Sequence, residues 1–371
     1  MIGNFLRNAS LVEKFLIPNI FVIIIFFISV GTLSYILLKQ QLKKQAEDIL
    51  NNSYKLFQEQ VKVKERIGLA ISYLISKDPD VKRAFSLKSR SPLRKYVKIR
   101  SDLELLTDIY DPRLQFLTPL AVSFFKTWNP EEFGIDVSKF RRIIVTVAQR
   151  QAPQKGIEVG LKRVIVSGAF PVIDGKKYLG TVEFMTPFDP LMDKLKELTG
   201  VESTVLIKGA SGGYSDWAKE AEKVGDYLIY YETNPILRNI MLKALEKPGS
   251  VFIEQNFAVV AKPVFDFSRK NIGLLLLGYD LTPIVDSFKQ LGIYVLMFIF
   301  IFVVATFFMS YMIFKKYVEE PINTLIEHTE RISMGDVDQK IPLKSKDEIG
   351  RLAEAFDRMR ISIKKVMDLL K

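Results

Sequence analysis

The sequence predicts an α+β membrane protein, with two transmembrane helices, a long stalk helix leading into two successive αβ units, and a closing helical bundle. Three observations predict it. Phe15–Leu38 and Gln290–Phe314 are apolar runs free of charged residues, and about 20 apolar residues suffice to cross a bilayer. Between them the hydrophobic period shifts from that of a helix to the alternation of strands. After the second run, Pro321–Lys371 carries two short helical patterns at coiled-coil spacing.

The 371 residues allow two or three domains. Hydrophobic residues make up 48% although 26% are charged, so the apolar residues are concentrated in segments beside ordinary polar domains. The net charge of +11 is spread along the whole chain. With no zinc-finger, helix-turn-helix or RNA-binding signature, nucleic acid is not an expected partner. There is no cysteine and one histidine, His328. No disulfide can staple an exported domain, the usual zinc ligand sets cannot be assembled, and no cofactor is expected. Thiol and His-dependent triad chemistry lack their parts.

In chain order, residues 1–14 form a short basic tail and 15–38 the first span. That run is longer than a signal-peptide core and no small-residue cleavage site ends it, so the helix is expected to be retained. From Lys39 to Ser76 the residues Leu42, Ala46, Ile49, Leu56, Val63, Ile67, Ala70 and Leu74 follow a three-four alternation, with Ser53 and Gln60 as polar gaps. At 1.5 Å per residue this stalk extends roughly 57 Å, and its seam suits either a dimer contact or a core face. Asp78-Pro79-Asp80 ends it, and shorter helical stretches follow to Asp108.

Leu114–Thr118 and Ala121–Trp128 read as strands around Pro119, then a loop FGIDVSKF and a short helix Phe140–Gln151. Gly156–Val172 and Lys177–Thr186 read as strands joined by an Asp174-Gly175 hairpin turn. These make a first unit of about residues 110–190, and a helix over Asp189–Leu198 follows. The second unit, about 201–285, begins with a strand at Val201–Ile207 and a glycine-rich loop at Gly209–Gly213, which lacks the ending of a phosphate loop. A strand at Asp226–Glu232, a helix at Pro235–Glu246 and strands at Val251–Val264 and Ile272–Tyr279 follow. Two similar units in tandem suggest an internal structural repeat. Residues 39–289 thus form one block, 290–314 the second span, and 315–371 a connector and bundle.

In the bundle, Ile322, Leu325, Thr329 and Ile332 form one seam, and Ile349, Leu352, Phe356, Met359, Ile363, Val366 and Leu370 another. Gly335 and Asp336 stop the first helix. Ser345 and Glu348 form a capping box for the second, and Val337 and Ile341 are apolar pins in the connector. This segment resembles the HAMP signalling domain of bacterial transmembrane receptors, matched by Pro321, Ile322, Leu325, Gly335, Asp336, Asp347-Glu348-Ile349-Gly350, Leu352, Phe356 and Met359. The resemblance implies a parallel, dimeric four-helix bundle on the cytoplasmic side. It sets the topology: both termini cytoplasmic, residues 39–289 extracytoplasmic, the whole in the inner (plasma) membrane.

The block between the spans resembles the double-Cache class of extracytoplasmic sensor domains. The stretch PEEFGIDVSKFRRIIVTVAQRQAPQKGIEVG followed by AFPVIDGKKYLGTVEF carries the likeness, although Ser167 stands where that class often has an arginine. Candidate ligand-binding residues in the first unit are Lys126, Trp128, Arg141, Glu158, Tyr178 and Glu183. A cation beside aromatics suits a carboxylate, so an organic anion is an expected ligand. The same charges also suit hairpin pairs and surface ion pairs.

The function expected is that of a homodimeric receptor relaying a conformational change through its HAMP domain. It is not expected to be an enzyme. No kinase, cyclase or methyl-accepting hairpin fits after Lys371, so the chain is expected either to be a truncated receptor, or to work through a separate cytoplasmic kinase, cyclase or chemotaxis partner or by pairing with full-length receptors. The alternative is a membrane-anchored protein-interaction module in which the bundle only dimerises. An external hydrolase lacks a nucleophile, base and orienting group.

Overall fold

A computed structural model describes residues 11–106, 109–212, 215–342 and 347–369. The chain divides into two compact units, residues 40–285 and a second made of residues 1–39 with 286–371. Helix α1 spans Leu11–Ser76 without a break, so the first apolar run and the stalk are one helix. Asp78 caps the next helix, α2 (Pro79–Ser86), by accepting the Asp80 N–H at 2.8 Å, and Pro79 occupies the first turn. A 3₁₀ segment, Ser91–Lys98, and α3 (Ile99–Leu106) lead to the strands.

The first sheet contains β1 (Arg113–Leu117), β2 (Ser123–Lys126), β3 (Gln154–Val159), β4 (Val164–Asp174) and β5 (Lys177–Pro187), with α4 (Arg142–Arg150) between β2 and β3. Its strand order is β2-β1-β5-β4-β3, antiparallel throughout. The stretch read as one strand, Gly156–Val172, is two, because the chain turns back at Gly160–Arg163. The β4–β5 turn is Gly175-Lys176, with Gly175 at φ +59°.

Helix α5 (Pro190–Thr199) ends on Gly200 at φ +69°. The second sheet then follows: β6 (Glu202–Lys208), β7 (Lys223–Val224), β8 (Tyr227–Glu232), β9 (Phe252–Glu254), β10 (Phe257–Phe265) and β11 (Asn271–Asp280), in the order β7-β8-β6-β11-β10-β9. Without the two-residue edge strand β7, this is the order of the first sheet, so the repeat inferred from sequence is structural. Val251–Val264 is a hairpin rather than one strand. Gln255 and Asn256 both take positive φ, 47° and 63°, as a two-residue turn twisted to match its strands requires. Gly209–Gly212 is one helical turn, α6, rather than a loop. Pro235–Glu246 breaks into 3₁₀ turns around the short helix α7 (Arg238–Leu242).

The stalk is a core face of its own chain. Ala46, Leu50, Ser53, Phe57, Val61, Gly68, Ser72 and Ile75 are buried along it. Val63, Ala70 and Leu74, counted in the seam from sequence, point outward instead. Ala46, Leu50, Phe57 and Val61 pack against both sheets and α5 in one apolar cluster. Farther along, Ile75 joins α2 and the 3₁₀ segment over Leu114, Phe116, Val182 and Phe184.

In the other unit, α8 (Thr282–Phe314) and the first part of α1 are long and apolar enough to cross a membrane. Ser29, Thr32 and Thr306 return their hydroxyls to the carbonyls four residues back, at 2.7–2.9 Å, which satisfies them without water. Phe27 meets Phe302 edge to face at 6.1 Å. A π-turn, Lys315–Glu319, joins α8 to α9 (Glu320–Ser333), and α10 (Glu348–Leu369) completes the chain's helices. Helix α9 ends as expected. Gly335 takes φ +95°, and the N–H groups of Gly335 and Asp336 reach the carbonyls of Ile332 and Arg331. Ser345 lies outside the described residues. Asp347 caps α10, accepting the Gly350 N–H at 3.0 Å, and Glu348 is the first helical residue.

Candidate functional site

The two faces of the first sheet differ in chemistry. Toward α1 and α2 it presents Leu114, Phe116, Phe125, Val182 and Phe184. The other face carries Gln115, Ser123, Lys126, Ser167, Thr181 and Glu183, all buried. Lys126, Gln115, Glu183 and Ala169 stand opposite one another across β2, β1, β5 and β4. Helix α4 covers this face, with Ile143, Ile144 and Val147 packed on Leu117 and Ala169.

Arg141, immediately before α4, is 5% exposed and sits between two carboxylates. Its Nε donates to Glu158 Oε2 at 2.8 Å and its Nη2 to Glu183 Oε1. Glu158 Oε1 accepts the Ile143 N–H at 2.9 Å, which tethers the first turn of α4 to β3. The expected free cation for a carboxylate ligand is therefore already neutralised from two sides. Glu183 Oε2 and Ser167 Oγ have no partner at hydrogen-bonding geometry, though Ser167 lies near enough to favour the ionised carboxylate. Burial pushes the Glu183 carboxyl up to about 7; the Arg141 charge opposes this and the Glu158 charge adds to it. Burial works against the Arg141 charge, but Glu183 and Glu158 outweigh it and hold the guanidinium above its ordinary value.

Lys126 and Trp128 form a neighbouring group. Lys126 Nζ bonds Glu132 Oε2 at 2.6 Å and lies 6.0 Å from the Trp128 ring, which Arg113 also approaches at 5.4 Å. That hydrogen bond holds the Glu132 carboxyl below its usual range. Tyr178 Oη lies 2.6 Å from Thr181 Oγ1, and burial raises its phenol. Of the six residues expected at a site, Arg141, Glu158 and Glu183 converge directly, Lys126 lies two strands from Glu183 on the same sheet face with Trp128 near it, and Tyr178 sits farther along β5. The sequence reading missed Gln115, Ser123, Ser167 and Thr181. Their signal was polar residues at alternate positions of otherwise apolar strands.

The terminal helices hold a second constellation. Leu325, Ile341 and Ala353 are buried together with Ile349 and Phe356 against them, and Val337 is buried as well. The connector is thus pinned where its two apolar residues suggested. Arg360, not anticipated, clamps it by donating from Nη1 to the Val337 carbonyl at 2.8 Å and from Nε to Asp357 Oδ1 at 2.9 Å. Pro321 and Ile322 are half-buried, whereas Leu352, Met359 and Val366, seven residues apart, are exposed.

Residues 43–285 match the family described as the double sensory domain of two-component sensor kinase, and residues 320–365 match the HAMP domain. A sensory transducer protein of Acetivibrio thermocellus is 38% identical over 45 residues, and the chain spans 8% of that protein's length. Among solved structures, the Vibrio cholerae histidine kinase DctB sensor domain is similar at 12% identity and a TM-score of 0.41, covering 64% of this chain and 97% of that one. A ligand-binding domain of a Campylobacter jejuni chemoreceptor in complex with L-valine is similar at 13% identity and a TM-score of 0.42, covering 66% and 94%. With 243 of 371 residues (285 − 43 + 1) inside the sensory match, the chain belongs to the double-Cache sensory family, with a HAMP domain behind its second apolar helix.

Proposed function

We propose that this protein is a transmembrane receptor that binds a small zwitterion on the polar face of the first sheet, beneath α4. The observation that carries the reading is the contrast between the two faces. The apolar face builds a core, while the other keeps polar and charged side chains out of water, and Glu183 Oε2 meets only Ser167 Oγ, outside hydrogen-bonding geometry. Buried groups left unmade cost about 1–3 kcal/mol each, a cost that a ligand supplying their partners removes. An ammonium group suits Glu183. A carboxylate suits Lys126, which one exposed acid holds and which stands two strands away, roughly 10 Å.

The receptor is a homodimer with both termini cytoplasmic. Its exposed stripe of Leu352, Met359 and Val366 supports a second copy against α10. The output is a cytoplasmic kinase, cyclase or chemotaxis partner.

The test is thermal unfolding of the full chain in lipid nanodiscs against the twenty standard amino acids. At least one is expected to raise the melting temperature. Ligand at a hundred times its dissociation constant adds about 2.7 kcal/mol, and Glu183→Gln should remove that gain. No shift from any of them, or a shift that survives both Glu183→Gln and Lys126→Ala, would reject the site.

A further inference from the structure

A cleft lies outside the covered sheet face. Along the outer side of α4, Arg142, Thr146 and Arg150 follow one another at four-residue spacing and line one side of this cleft of about 530 Å³. The opposite side is the tip of the β10–β11 hairpin, with Ser268 and Arg269, and Gln154 of β3 also lines it. Among the described residues, none of the guanidiniums of Arg142, Arg150 and Arg269 has an ion pair or a side-chain hydrogen bond. Elsewhere in this domain Arg83, Arg94, Arg100, Arg113, Arg163 and Arg238 each reach a carboxylate, and Arg90, which does not, stacks on the Phe133 ring; Arg66 likewise has no ion pair among the described residues.

The arrangement works against stability as it stands. Arg142 opens α4, where the helix dipole disfavours a cation, and that first turn contains no acidic residue. Arg142 and Arg150 repeat the same sign along one face of a nine-residue helix. Arg269 is held at φ +65°, a conformation that non-glycine residues seldom take.

The cleft is also fixed in advance. Asp266 Oδ1 accepts the N–H groups of Ser268 and Lys270 at 2.8 and 2.9 Å and the Ser268 hydroxyl at 2.7 Å, which sets the hairpin tip. The Phe267 N–H reaches the Ile157 carbonyl at 3.0 Å. Gly156 leaves the space the tip needs, since a Cβ there would stand 2.6 Å from Phe267. Carboxylates around the cleft are engaged, Asp266 in the turn, Asp136 by the Ser138 N–H, and Glu158 with Arg141 and the Ile143 N–H.

We infer that this cleft binds a multiply charged small anion, a polycarboxylate or a phosphoryl compound. Guanidinium forks from α4 and from the hairpin tip grip it from both sides. The bound anion ties the first αβ unit to the second, so its occupancy stiffens the junction between them.

The test uses the full chain in nanodiscs of zwitterionic lipid, titrated separately with citrate and with inorganic phosphate by calorimetry. At least one is expected to bind, more weakly as salt is raised. Arg142→Ala, Arg150→Ala and Arg269→Ala should each weaken it by about tenfold or more. Lys208→Ala, in a separate cleft of the second unit, should leave affinity unchanged. Binding of citrate alone identifies a polycarboxylate site, and of phosphate alone a phosphoryl site. Absence of binding by both at millimolar concentration, or unchanged affinity when all three arginines are replaced, overturns the inference. Retention of the wild-type melting temperature by each variant without anion excludes misfolding as the cause of a loss.

Discussion

Glu183 is the residue on which most of this account turns. It is fully buried, its carboxyl is pushed up to about 7, and Arg141 bonds one of its oxygens while the other has only Ser167 nearby. Because that value lies above the ordinary 4.5, the fold holds its proton more tightly than the unfolded chain does. Its contribution to stability is therefore present at low pH and is lost as pH rises from about 4.5 through about 7. Glu183→Gln removes this dependence. The melting temperature of the variant relative to wild type is expected to climb between pH 5 and pH 8, measured without ligand. A difference that stays flat or falls would mean that Glu183 is ionised at little cost. The charged members of this group were legible because Arg141, Glu158 and Glu183 stand out in apolar surroundings. That Arg141 is shared between two acids was not, since nothing in sequence spacing tells which carboxylate crosses from β3 or β5 to reach it.

Among the elements, the contact between the stalk and β4 shows most clearly what periodicity hides. The seam counted from sequence favoured large apolar residues and so included Val63 and Leu74, both exposed. The contact is instead made through small ones. Gly68 lies against the Gly168 backbone, and Ser72 Oγ bonds the Gly168 carbonyl at 2.7 Å while accepting the Phe184 N–H at 2.9 Å. A Cβ on Gly168 would stand 2.2 Å from the Leu69 nitrogen, and backbone on both sides leaves little room to relax. Gly168→Ala should cost roughly 3 kcal/mol, the upper part of the range for overpacking. Urea unfolding followed by tryptophan fluorescence would measure it, and a loss below about 0.5 kcal/mol, an ordinary surface effect, would contradict the close approach. Turns were legible where glycine marked them, as at Gly175 and Gly335. The β9–β10 turn was not, because Gln255 and Asn256 adopt positive φ without glycine.

For the molecule as a whole, the apolar helices, the tandem of two αβ units and the pinned connector followed from hydrophobic pattern and turn chemistry, whereas the strand order and the breaks within Gly156–Val172 and Val251–Val264 did not. What the pattern could not give was which face of the first sheet is apolar core and which is the buried polar face proposed to bind ligand, because both are buried and only side-chain chemistry separates them. Ligand on that face should change the packing of α10 in a dimer. The most direct measurement is the rate of disulfide formation between copies carrying Met359→Cys, in native-like membranes. It would be taken with and without the amino acid that stabilises the full chain, in the wild-type background and in Glu183→Gln. The rate is expected to change with ligand in the first background and not in the second. Equal rates with and without ligand in the wild-type background would contradict this expectation, and would leave the bundle a passive clamp.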